Sequence, residues 1–591
     1  MTRPLLITSL PNEVLVRILH YCKYRAIIRF SMTCRKSYEA VLQSISLQLL
    51  IGLEVTGLEI LDISSKASYS SVLAELKGYQ DAWQNFRLSP VVQSPVEIPL
   101  ALDIDWELRN GAYIGGFRES NKEYPGDNQF DRIQVIHLHS PVVPPPLDFK
   151  KKFNNSMVDI SQDLVVLVEY FQESPSSVIA NVHLHHVTTG LPHSLAQLST
   201  FTIRDENLRS SSTDLVVMGS ILAITFAGPE SSVSGCCDTL IWDWRSCHLI
   251  GRIKSESNDA DITFLDKGHL LVFSALPSPS QEPNQVALLF YAIPNSPTSN
   301  QEPPQADVYV PSCPKIEPVL VLEFPKLYKT YQIQGYVLAS MPLLGDLAYR
   351  GSAKVVYSRT TTIALQFWTE LIEHMVGPND GRPPKYIDYC VFVNTDCIFD
   401  HLLENTAGET MKIPWSQWGT EATRWFIDKD SLSASSINAF GSQYPIWDFD
   451  PDNADQRLSI FEFNPQVVRR YINTSRHREE QVVAGGSCLS SRSVFGIYDL
   501  KAPLLSAYNA NMGQHVVTDV IGSDTKTIID QGFAEPVESS LPYMVVTRVE
   551  CMPRHAAWYI QGDYLVGIPV TEPGSPHPPL SLYKLQCSQG D

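Results

Sequence analysis

From Pro11 onward the apolar positions recur in threes and fours. Val14, Leu15, Ile18, Leu19 and Cys22 fall at i, i+1, i+4, i+5 and i+8, while Asn12, Arg17, His20 and Lys23 lie off that stripe. At 100° per residue this predicts one amphipathic helix. Pro11 suits its first turn, where a missing N–H costs nothing, and Glu13 sits at the positive end of the dipole. A second helical stretch carries Ile27, Ile28, Phe30 and Met32, and a third begins near Thr33 with Cys34, Tyr38, Val41, Leu42 and Ile45. Three short helices lie at the lower size limit for independent folding. Buried apolar surface contributes ~25 cal/mol per Å², so leaving Leu10, Val16 or Ile28 in water forfeits stability. A docking partner is the economical cover, and packing as a cap on the following domain is the other solution.

The helical spacing continues from Ser46 to about Leu88, through Val72, Leu73, Leu76, Tyr79, Trp83 and Phe86, with Ser70 or Ser71 as cap and Pro90 and Pro95 ending it. After Pro99 the period drops to that of strands. Short Val-, Ile-, Leu- and aromatic-rich runs alternate with Gly, Pro, Asn, Asp and Ser clusters, as in IQVIHLHS, LVVLVEYF, HLLVFSAL and VALLFYAI. LVVMGSILAITFAG (215–228) reads as two buried strands meeting at Gly219-Ser220, since it is short of the ~18 residues of a membrane span. LQFWTELIEHMV (365–376) is the main segment that keeps a helical period. Tight returns near 138, 186, 244 and 291 suggest the blades of a β-propeller, with a double β-sandwich as the rival. Trp242-Asp243 imitates a WD dipeptide without its Gly-His, which is weak support. The expected fold is multidomain α+β: three small helices (1–50), a helical connector (51–95) and a large all-β, propeller-like region (96–591) with Pro-rich insertions at 277–318.

The N-terminal residues resemble the F-box family. Leu10-Pro11-x-Glu13-Val14-Leu15-x-x-Ile18-Leu19, then Ile27-Ile28-Arg29-Phe30-Ser31, then Cys34-Arg35-Lys36 follow its pattern. Tyr38 stands near where the family often has Trp or Phe, and Ala26 stands where an Asp often begins the middle segment. The helical connector and long β-rich region also resemble a large group of fungal F-box proteins. The resemblance implies a substrate-recognition subunit of an SCF-type ubiquitin ligase. Leu10, Pro11, Glu13, Val14, Leu15, Ile18, Leu19, Ile27, Ile28, Phe30 and Cys34 would bind the linker subunit, and through it the cullin scaffold. The β region would present a substrate protein. A non-catalytic scaffold working outside any ligase is the alternative.

Charge agrees with a protein partner. The formal net charge of -19 repels phosphate backbones and anionic lipid, so neither nucleic acid nor membrane is expected as partner. The apolar run of MTRPLLITSLPNEV is broken too early for a signal peptide, and 11 scattered cysteines without CxxC pairs fit reduced thiols. A cytoplasmic or nuclear location is expected. Nothing matches a nucleophile elbow, a dinucleotide fingerprint or a P-loop, so no catalytic residue, cofactor or metal is expected. His183 and His185 share a strand face but read as exposed strand histidines, and the carboxylates of IWDFDPDNADQ read as an acidic turn. PWSQWGTEATRWF gathers Trp415, Trp418, Arg424 and Trp425. Trp and Arg favour binding hot spots, so these four are a possible ligand rim, although a structural role is favoured.

Overall fold

The computed structural model describes residues 10–586 apart from 92–104, 119–128, 139, 141, 175–176, 206–212, 227–236, 256, 258–259, 277–283, 295–303, 339, 342–343, 372–385, 406–408, 429–438, 450–455, 483–514 and 571–579. Most of both Pro-rich insertions and the acidic turn after Phe449 lie outside the described residues.

The N-terminal pattern folds as α1 (Asn12–Leu19), α2 (Tyr24–Ser31) and α3 (Arg35–Gln43). They close on Leu19, Ile27, Val41 and Leu47, with Val16, Cys22 and Phe30 packed against that cluster. The connector is α4 (Ile45–Thr56) and α5 (Tyr69–Gln84), the latter opened by a reciprocal Ser68/Ser71 capping box. Between them the expected helix gives way to a strand, Leu58–Ile63. Gly57 ends α4 in the left-handed region (φ 70°), and a Cβ there would run into the Arg359 carbonyl. The chain then pairs antiparallel with Ala353–Tyr357 of the β region. Connector and β region share one core, in which Leu53, Val72, Leu76 and Trp83 pack with Val355, Ile460, Trp558 and Leu565.

Among the described residues the β region is a ring of seven sheets, each holding four antiparallel strands; in the sheet of 439–548 they do not follow chain order, since Tyr543–Arg548 lies between Gln456–Glu462 and Val516–Ile521. Blades 1 to 4 span 105–153, 155–205, 213–255 and 261–323, and blades 5 and 6 span 331–428 and 439–548. Blade 7 combines His555–Gln561, Tyr564–Pro569 and Ser581–Leu585 with Leu88–Pro90 from the end of the connector. Each blade packs on the next, and blade 7 packs on blade 1, so the ring is closed. Strands flanked by blades on both faces read as continuous apolar runs: Leu164 to Val168 are each at most 1% exposed. The residues 215–228 form two strands turning at Gly219 (φ 58°), as expected.

The helical reading of 365–376 is overturned over 365–371, the rest lying outside the described residues. Thr362–Leu371 is a ten-residue strand of blade 5, with Leu365 and Phe367 buried against neighbouring sheets. Ile363, Leu365 and Phe367 share one face, but Trp368 on the other interrupts the alternation and, with Leu365 and Leu371, imitates a helical spacing. The blade also carries α6 (Thr395–Glu404) and α7 (Trp415–Ala422), and α8 (Pro465–Val482) follows the second strand pairing of blade 6.

Candidate docking face of the N-terminal helices

α1 and α3 lie side by side and point the same way. Lys36 Nζ, at the start of α3, donates to the Leu10 carbonyl 2.9 Å away, and His20, at the end of α1, meets Ser46 Oγ at 2.9 Å beyond the end of α3. Each helix shows an outward apolar row at i, i+4, i+7 spacing. On α1 the row is Val14, Ile18 and Tyr21, which are 42%, 48% and 86% exposed. On α3 and the start of α4 it is Tyr38, Leu42 and Ile45, at 53%, 55% and 46%. Met32, 80% exposed, stands at the end of α2.

The residues picked out by the motif therefore divide by depth. Pro11, Glu13, Val14, Ile18 and Cys34 are exposed, while Leu10, Ile28 and Phe30 are half-buried. Leu15, Leu19 and Ile27 are buried beneath the face and hold the rows from behind. Tyr21, Tyr38, Leu42 and Ile45 lie outside the motif. Their spacing placed the last three on an apolar stripe, but the stripe alone does not tell which members turn outward. Cys34 precedes α3 with its Sγ 3.2 Å from Ser37 Oγ, and this hydrogen bonding holds the thiol below its ordinary value.

The opposite side of the helices is fixed to blade 5. Arg25 meets Asp400 at 2.6 Å and Asp396 at 3.0 Å, both on α6. Tyr24 donates through its hydroxyl to Asp396 and through its N–H to Glu54 of α4. Burial, with the Asp396 charge beside it, raises the Tyr24 hydroxyl above its usual range. Arg359 completes the brace, meeting Asp396 at 3.3 Å and donating to the Glu54 carbonyl. Beside it opens a polar cleft of about 670 Å³, lined by Arg25, Asp396, His401, Gln417, Glu421 and Arg469 among others.

The Trp/Arg window is core rather than rim. Trp425 and Arg424 are fully buried and Trp418 is 5% exposed. Trp415 packs edge-on against Trp418 and Trp425. Arg424 donates to the Leu541 and Thr525 carbonyls and to Thr527 Oγ1, and it stacks over Tyr543. Burial pulls its pKa down to about 10, against the pull of Tyr543 beside it. The histidines differ from expectation as well: His183 is 5% exposed and hydrogen-bonded to Glu169 and Thr200. Among the described residues no three His, Cys, Asp or Glu side chains group as a metal site. No helix among them is long and apolar enough to cross a membrane.

Comparison with known families matches the F-box domain to residues 7–48, which supports an F-box protein. F-box domains bind a SKP1-type linker and through it the cullin scaffold. No curated protein matches the chain. Among solved structures, the WD40 domain of SCAP from fission yeast is 8% identical with a TM-score of 0.29, covering 89% of this chain and 97% of that one. The uncharacterized protein lmo1340 from Listeria monocytogenes EGD-e is also 8% identical, with a TM-score of 0.20 over 64% of this chain and 91% of that one. At these scores neither carries an argument, and the ring rests on its own strand pairing and blade contacts.

Proposed function

We propose that the chain is a substrate-recognition subunit of an SCF-type ubiquitin ligase of the fungal F-box kind, working in the cytoplasm or nucleus. The reading is carried by one observation: the apolar rows of α1 and α3 face solvent while the brace of α2 and α4 faces the β region. A cap packed in cis would bury those rows. A connector packed into the core of a closed ring of blades fits the presentation of a target protein at a set distance. The role needs no catalytic residue of the chain's own, since ubiquitin transfer belongs to other subunits.

Co-purification with the linker subunit tests it. Binding by the parent should be lost in Ile18→Asp and Leu42→Asp, each placing a charge where an apolar contact was, at a cost on the order of 2–4 kcal/mol. Both side chains are exposed, so melting temperatures should stay within a few degrees of the parent. A well-folded parent that fails to bind sinks the proposal. Binding without ubiquitin transfer to any co-purifying protein favours the scaffold reading.

A further inference from the structure

On blade 2 the segment 187–199 returns from the end of Ser177–His186 to the start of Thr200–Asp205. Two stacked histidines hold it, His186 and His193, with ring centroids 4.2 Å apart and planes 23° apart. Each ring uses both nitrogens. The Ser194 N–H donates to His186 Nε2 at 3.0 Å, so that nitrogen carries the lone pair and Nδ1–H donates to Asp163 Oδ2 at 2.8 Å. The Leu195 N–H donates to His193 Nδ1 at 3.2 Å, so Nε2–H donates to the Gln162 carbonyl at 3.2 Å. A backbone N–H can only donate, so the fold itself fixes both rings as neutral tautomers. Trp244 of blade 3 closes on His193 edge-on, 4.9 Å between centroids.

A proton arriving at His186 Nε2 or His193 Nδ1 sets N–H against N–H. It removes a backbone hydrogen bond and places a cation on its stacked neighbour. We propose that the 187–199 segment is an acid-sensitive latch, closed by the neutral His186–His193 stack and released when either ring takes up a proton. The segment exposes Leu191 (62%) and Leu195 (57%), so its release changes how an apolar pair is presented at the edge of the ring.

The surrounding charges set the direction. From the 160–163 turn, Asp163 accepts from His186 Nδ1–H and is itself held below the usual carboxylate range: burial opposes this, but bonds from Thr188 and His186 prevail. Asp159 on that turn is engaged by Ser161 and Gln162. From blade 3, Arg245 lies over Trp244 and opposes protonation, while Asp243 accepts from the Arg245 N–H. From the strand itself, His185 Nδ1–H donates to the Gly190 carbonyl, and His183 is pushed down to about 4 by burial, Lys151 and His185, so it stays neutral through the range. Burial first, then the His186 and Arg245 charges, also lower His193. Because a free histidine titrates near ~6.5, the latch weakens as pH falls below that value.

Amide exchange of the full chain at pH 7.5 and 5.5, corrected for intrinsic rates, tests this. Protection at Ser194 and Leu195 should fall about tenfold or more at pH 5.5, reversibly, while Cys237–Asp243 in blade 3 stays protected. In a His186→Gln/His193→Gln variant the segment exchanges faster at both pH values but with no step between them. Equal protection of the parent at both values, a step that persists in the double variant, or loosening shared by blade 3 would each overturn the latch.

Discussion

Glu462 is 6% exposed at the end of a blade 6 strand, beside a cavity of about 60 Å³ that Trp83, Tyr79 and Gln443 also line. Its Oε1 accepts the Asn464 N–H at 2.8 Å, and Asn464 in turn donates to the Val55 carbonyl of α4. Burial raises the carboxyl to about 7, against bonds from Ser442 and Asn464 that lower it. The folded state therefore binds this proton more tightly than the unfolded state does. Its contribution is full below ~4.5 and is lost as pH rises through about 7. Glu462→Gln should remove that loss, making the variant more stable than the parent at pH 8, by up to about 3 kcal/mol, and nearly equal at pH 4.5. Melting temperatures at the two pH values check it. Asp388, raised to about 6 by burial and by Asp428 directly across the ladder, gives the same sign and leaves a residual slope in the variant. Neither carboxyl was visible in the sequence, because burial of a lone Glu at a strand end has no local signature. The F-box-like residues were visible because the motif records the spacing of consecutive helices whose shared core of Leu19, Ile27 and Val41 is local in sequence.

At the scale of elements, the brace between α2 and α6 decides how the N-terminal helices sit. Arg25 is 38% exposed, so each of its ion pairs alone contributes at most about 1 kcal/mol. Asp396 adds to this because it serves Arg25, Tyr24 and Arg359 at once. Asp396→Ala should speed amide exchange across α2 by about tenfold while blades 1 to 3 remain unchanged; equal exchange would mean that α4 alone holds the helices. The amphipathic helices α1, α3 and α5 were legible because one polar face sets their period. The strand Leu58–Ile63 was not: its partner lies almost 300 residues away in Ala353–Tyr357, and only Gly57 marks the break. Thr362–Leu371 failed for another reason: Leu365, Trp368 and Leu371 also fit a helical spacing, and Trp368 breaks the alternation of Ile363, Leu365 and Phe367 with Gln366 and Glu370.

The whole molecule repeats more regularly than its sequence does. The returns near 138, 186, 244 and 291 are the ends of the third strands of blades 1 to 4, at His137, His186, Asp243 and Ala292. The period fades afterwards because blade 5 admits the Leu347–Tyr357 hairpin, α6 and α7 between its strands, and blade 6 admits α8. Closure is illegible from any one segment, because it joins Leu88–Pro90 to Ser581–Leu585. That join also couples the docking face to the far end of the chain: Leu585 shares a core with Trp83 and Phe86 of the connector. Leu585→Asp buries a charge there and should cost several kcal/mol. The ring should then open at the blade 7 seam, with exchange rising in α5 and in Tyr564–Pro569. The small core of α1 to α3, which shares no residue with that seam, should keep its protection. Linker-subunit binding should accordingly survive in Leu585→Asp while the fixed angle between docking face and blades is lost, measurable as a broader distance distribution between spin labels at Cys34 and at a cysteine placed at Leu191. A distribution as narrow as the parent's would mean that the α2–α6 brace alone sets the angle, and ring closure would then serve stability only.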